Sequence, residues 1–147
     1  MGNICRSPAG EGVMQDLVNQ RKLEASIAVD SAGTHGYHVG ERADARMRSA
    51  AKKRGYVLQS RSRRVTKIDL QIFDVVIAMD KDNLFELNQM HDQPTSELKL
   101  LSDYLPDGWP KDVPDPYYGG DAGFEKVLDM IELACPIIVE ELMAIQN

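Results

Sequence analysis

Short β-branched runs alternate with amphipathic helices along these 147 residues, a pattern that points to a parallel sheet covered by helices on both faces. Residues 27–31 (IAVDS) read as a buried strand turned at Ala32-Gly33-Thr34, residues 74–79 (DVVIAM) as the most apolar strand, and residues 98–101 as another. Ser7-Pro8 predicts a helix near 8–19, with Ser capping and Pro in the first turn, faced by Val13, Leu17 and Val18. A second helix near 43–54 presents Met47, Ala50 and Ala51 and stops at Gly55; a third follows Asp80 as its cap and carries Leu84 and Leu87. From Phe124 to Leu142 apolar residues recur at steps of three and four, as in a long amphipathic helix. Pro136 lies inside it, at a cost of about 3 kcal/mol, so a kink or break is expected there. The length predicts one domain over residues 1–147.

Charge narrows the function classes. Lys plus Arg total 17 against 23 Asp plus Glu, a net −6 that disfavours sequence-independent nucleic-acid binding. The balance is polarised: Lys52, Lys53, Arg54, Arg61, Arg63, Arg64 and Lys67 fall in a stretch without acids, whereas ten acids lie in 102–147. Such a run is either a solvated face or a basic rim that steers an anionic substrate. Two cysteines, Cys5 and Cys135, are too few for a disulfide framework or a zinc site and point to a reducing, cytoplasmic setting. No apolar run approaches the roughly 18 residues that cross a bilayer, so no membrane role is expected.

Gly2-Asn3-Ile4-Cys5-Arg6-Ser7-Pro8 joins residues that tolerate unusual backbone angles to an arginine and a helix start. Turned-in backbone amides, the helix dipole and a planar guanidinium together make a phosphate-like anion site. Cys5, beside Arg6 and a helix start, has surroundings that lower a thiol pKa. Cys135, on the apolar face of the last helix, reads as core packing.

This segment resembles the phosphate-binding loop of the low-molecular-weight protein-tyrosine phosphatases, and Asp115-Pro116-Tyr117-Tyr118-Gly119-Gly120 resembles that family's general-acid loop. Val29-Asp30-Ser31-Ala32-Gly33-Thr34, Lys53-Arg54-Gly55 and Ile77-Ala78-Met79-Asp80 resemble further landmarks, so the likeness spans the chain. The resemblance implies a three-layer α/β fold with a four-stranded parallel sheet and no metal or organic cofactor. It also implies hydrolysis of a tyrosine-phosphorylated protein or small aryl phosphate through a phosphocysteine. Arg6 and the amides of Gly2, Asn3, Ile4, Cys5 and Ser7 are then expected to hold phosphate or another oxyanion. Asp115 protonates the leaving phenolate, Ser31 supports the loop, and Tyr37, Tyr117 and Tyr118 wall the substrate ring.

One part of the family pattern is missing. Its nucleophilic cysteine precedes the arginine by six residues, a position one residue before Met1. The apolar strand that leads into that cysteine, central in the family's sheet, is missing with it. The expectation is therefore an N-terminally truncated chain, inactive as it stands, or alternatively a catalytically dead phosphate- or phosphotyrosine-binding module. Removing a central strand leaves a gap of roughly 10 Å between its neighbours, a hole that a parallel sheet is not expected to tolerate.

Overall fold

Cys5 takes the N-cap position of helix α1 (Arg6–Gln20) without a side-chain cap, so the helix starts two residues before the expected position and Ser7 lies inside its first turn. The computed structural model describes residues 4–91, 93–118 and 120–146. Pro8 is accommodated because first-turn positions need no amide donor; the amides of Arg6 and Ser7 are left open at the same helix end. Helix α2 (Ala45–Lys53) is capped by Asp44, which accepts from the Arg46 amide, and buries Met47, Ala50 and Ala51 as the spacing predicts. Gly55, with φ +92°, follows its end in the left-handed region that glycine enters without strain.

A short helix α3 (Asp69–Ile72) leads into β1 (Val75–Ala78). Helix α4 (Lys81–Met90) then crosses to β2 (Glu97–Leu100), which pairs in parallel with β1 in the register Val75↔Glu97 to Ala78↔Leu100. Asp80 caps α4 through the Asn83 amide, as expected. Successive β1 side chains face opposite layers: Ile77 packs with the core built on α1 and α5, whereas Val76 and Ala78 join Val65, Leu70 and Leu87. Helices on both faces of a parallel sheet are thus present, but among the described residues the sheet has two strands.

The expected strand at 27–31 does not form. This segment runs beside β1 without pairing to it, and a cavity of about 450 Å³ lies between them, lined by Val29, Val76, Ile77, Met14, Ile131 and Ile138 among others. Contrary to expectation, the fold keeps the hole. Its two walls are held separately: Gly33 exchanges hydrogen bonds with Arg63 and Val65, Ser31 Oγ donates to Glu11 on α1, and β1 is anchored by β2.

Helix α5 (Asp121–Gln146) is unbroken through Pro136, so the predicted interruption is not found. Phe124, Val127, Leu128, Met130, Ile131, Ala134, Ile138 and Val139 are all buried along it, and that packing offsets the lost hydrogen bond. Arg54, at the end of α2, ties the two helices by pairing with Glu125, Asp129 and Glu132. Replacing Pro136 with Ala is expected to stabilise the protein by about 1–2 kcal/mol, because the helical hydrogen bond is regained while the unfolded chain gains some freedom. Chemical denaturation reads this directly, and a destabilised variant would show that the ring contributes packing that Ala cannot replace.

Candidate active site

Arg6 is 4% exposed, and its surroundings fix how it can bind. Nη1 donates to Asp80 Oδ2 and to the Val113 carbonyl, each at 2.7 Å. Both hydrogens of that nitrogen are therefore engaged. Nε and Nη2, the guanidinium edge that matches two oxyanion oxygens, make no hydrogen bond to a described residue. Arg6 is itself the first residue of α1, whose first-turn amides and dipole add partial positive charge at that helix end.

The carboxyl end of β1 assembles the rest. Asp80 lies two residues past the end of β1 and serves two donors, the Asn83 amide and Arg6. The Val113 amide donates to the Met79 carbonyl at 2.9 Å, and the Lys81 amide donates to Asp112 at 3.0 Å, so the loop before Asp115 is pinned at the same strand end. Sequence reading found Asp80 only as a cap; an acid just past the most apolar strand was the available signal for an arginine anchor.

Asp115 is exposed and accepts from the Tyr117 amide at 3.0 Å, in the short turn Pro116–Tyr118. Its negative charge is near enough to Cys5 to disfavour the thiolate, although the two residues are over a hundred positions apart in sequence. Cys5 is buried, and burial pushes its thiol up from the ordinary 9.0 to about 12, with Asp44 and Asp115 adding to the effect. The expected lowering of this thiol is thus reversed: desolvation outweighs the helix end and nearby cations. Cys135 is buried and unpaired in α5, and burial, with the Glu132 charge adding to it, takes it to about 12 as well.

Two functional neighbours escaped the sequence reading. The Asp44 amide donates to the Ile4 carbonyl at 2.6 Å, fastening the start of α2 to the anion loop. Arg46 holds Asp44 through Nε and Nη2, donates to the Tyr117 carbonyl, and lies 5.5 Å from the Tyr117 ring centroid. Tyr37 is 77% exposed and stacks on His35 at 5.2 Å, while His38 is tilted against Tyr117 at 6.1 Å. Tyr37 and Tyr117 thus each lie against a histidine of the segment 35–38. Gly2 and Asn3 lie outside the described residues, as does the Tyr118 side chain.

Because both thiols are protonated far above neutrality, iodoacetamide at pH 8 is expected to label neither cysteine in the native state but both in denaturant. The linked stability has a definite sign. Each folded-state pKa is raised, so its contribution is complete below about 9 and is lost between about 9 and 12, where the unfolded thiol ionises first. Urea unfolding of Cys5→Ala against the parent across that range checks this. An unchanged alkaline slope would be inconsistent with a buried thiol at position 5.

An α/β core that anchors an arginine at a strand end beside a helix start has the chemistry of a phosphoryl-binding protein. Residues 1–146 match the family described as low molecular weight phosphotyrosine protein phosphatase, and the chain belongs to that family of phosphoric monoester hydrolases. A relative from Synechocystis is 44% identical over 146 residues, covering 97% of this chain and 92% of its own length. A protein tyrosine phosphatase from Entamoeba histolytica, solved with Hepes in its active site, superposes with a TM-score of 0.93 at 41% identity, covering 100% of this chain and 95% of its own. Wzb of Vibrio vulnificus, in complex with benzylphosphonate, gives 0.82 at 26% identity, covering 96% and 93%. The expected N-terminal truncation is not borne out by matches of this extent.

Proposed function

We propose that the 147 residues form a single phosphatase domain that binds the phosphoryl group of phosphotyrosine, or of a small aryl phosphate, and hydrolyses it by its family's phosphocysteine route. The observation that carries this reading is the division of Arg6, at the start of α1: one nitrogen is anchored by Asp80 and Val113, and Nε and Nη2 make no hydrogen bond to a described residue. Relatives holding Hepes, a sulfonate, or benzylphosphonate support an oxyanion as the guest. Tyr37, Tyr117 and Tyr118 flank the aryl ring, and Ser31 steadies the wall of the site through Glu11. No helix among the described residues is long and apolar enough to cross a membrane, and two free thiols suit a reducing, cytoplasmic compartment.

The family's phosphocysteine route needs a thiolate beneath the bound phosphorus. Cys5 is adjacent to Arg6 in sequence and is held protonated, and Cys135 is buried in α5, so neither serves. Binding without hydrolysis is the second reading, favoured by the protonated Cys5 and the buried Cys135, whereas the family favours hydrolysis. Asp115 would then protonate the departing phenolate and afterwards take a proton from water.

Calorimetry with vanadate and a p-nitrophenyl phosphate assay separate the two. The binding module shows vanadate uptake with no release of nitrophenol above buffer. Turnover that is lost on Asp115→Asn establishes hydrolysis instead, and absence of vanadate binding rejects both.

A further inference from the structure

Among the described residues, Arg42 and Arg61 face each other directly across an isolated antiparallel bridge. Like charges in that position repel, and side chains of bridged residues share a face. Both arginines are exposed and neither forms an ion pair with a described carboxylate; Arg61 donates only to the Gly40 carbonyl. The one acid next to them in the loop, Glu41, is paired with His38. Arg64 adds a third exposed guanidinium, its stem lying against Gly36 of the same loop. By contrast Arg54 and Arg63, from the same basic stretch, are neutralised by ion pairs. A protein of net charge −6 thus concentrates unpaired positive charge at one place.

That place borders the anion site. Arg42 is two residues from Asp44, whose amide bonds the Ile4 carbonyl, so its Cα lies within about 8 Å of the Asp44 Cα. His38, in the same loop, touches Tyr117. An extended peptide advances about 3.4 Å per residue, so side chains roughly two to four positions from a phosphorylated residue come within reach of the arginines. We infer that Arg42 and Arg61 form a docking ledge for acidic residues flanking the phosphorylated residue of a protein substrate or ligand. This rests on the phosphoryl-binding reading above. The arginines offset their mutual repulsion only when a carboxylate bridges them, which makes the ledge selective for sequence context and sensitive to salt.

The test is fluorescence anisotropy with two labelled phosphotyrosine peptides of equal length, one flanked by Asp and Glu, the other by Ser and Gly, with vanadate calorimetry alongside. At 50 mM NaCl the parent is expected to prefer the acidic peptide about tenfold, two contacts of roughly threefold each, and at 300 mM the preference is expected to shrink severalfold. The Arg42→Ser/Arg61→Ser variant loses it while binding vanadate unchanged, and Arg42→Lys/Arg61→Lys keeps most of it. Equal affinity for both peptides with vanadate bound overturns the ledge alone. An unphosphorylated acidic peptide that binds as tightly overturns it too, exposing a general polyanion surface. Failure to bind vanadate removes the anion site and the ledge with it.

Discussion

Joined to an apolar extension of about six to eight residues that ends in cysteine directly before Met1, the chain is expected to hydrolyse p-nitrophenyl phosphate, on the order of 10⁵-fold faster than the 147-residue form. The extension has two tasks. Its strand fills the cavity of about 450 Å³ between segment 26–32 and β1, and its cysteine falls six residues ahead of Arg6. The remaining groups proposed for the reaction, Arg6, the helix amides and Asp115, are already part of the chain. A serine-ending extension separates the tasks. It should raise the denaturation midpoint, since burying several apolar side chains contributes roughly 1.5–3 kcal/mol each before entropy is subtracted, yet give no turnover. If the cysteine form stabilises the fold but stays silent, the loop is not preorganised for attack. If neither form gains stability, the cavity does not accept a strand.

Arg6 carries the second large effect. Arg6→Met strips a partner from Asp80 and the Val113 carbonyl together, and breaking a buried ion pair costs about 3–5 kcal/mol, so urea unfolding should shift strongly. Vanadate binding should vanish as well, but loss of fold could account for that. Arg6→Lys resolves the ambiguity: an ammonium can still pair with Asp80, but it offers no planar edge. Partial stability with binding weakened about 100-fold or more supports the fork; vanadate affinity equal to the parent's would refute it.

The sequence revealed those parts of the fold in which local chemistry decides the outcome. Asp80 announced α4, Gly55 closed α2, and the steps from Phe124 to Leu142 described α5, because caps, positive φ and amphipathic spacing act within a turn or two. It misjudged what depends on distant partners. Residues 27–31 have strand composition but no ladder neighbour, and Pro136 has a poor local propensity overruled by buried packing on both sides of it. The site divides in the same way. Arg6 and Asp115 were visible as motif members, whereas Asp80 as an anchor, Asp44 as a brace and Arg46 against Tyr117 arise only when three separate segments converge. Cys5 was misread because neighbours in sequence suggested an activating field, while burial, which no spacing reports, sets its proton.

The unpaired edge of β1 also bears on how the molecule opens. In a parallel strand with one partner, alternate amides bond to the neighbour and the others face away, so hydrogen exchange along Val75–Ala78 should alternate between slow and fast. Segment 27–32 is held by Ile27 in the core, by Ser31 on Glu11 and by the Gly33 bridge to Arg64, without a ladder of its own. It can therefore detach at a free energy well below that of global unfolding, and the same segment carries Ser31, which is proposed to support the site. The void thus separates the paired strands β1 and β2 from a segment without a ladder, and Ser7, in the first turn of α1, lines it between them.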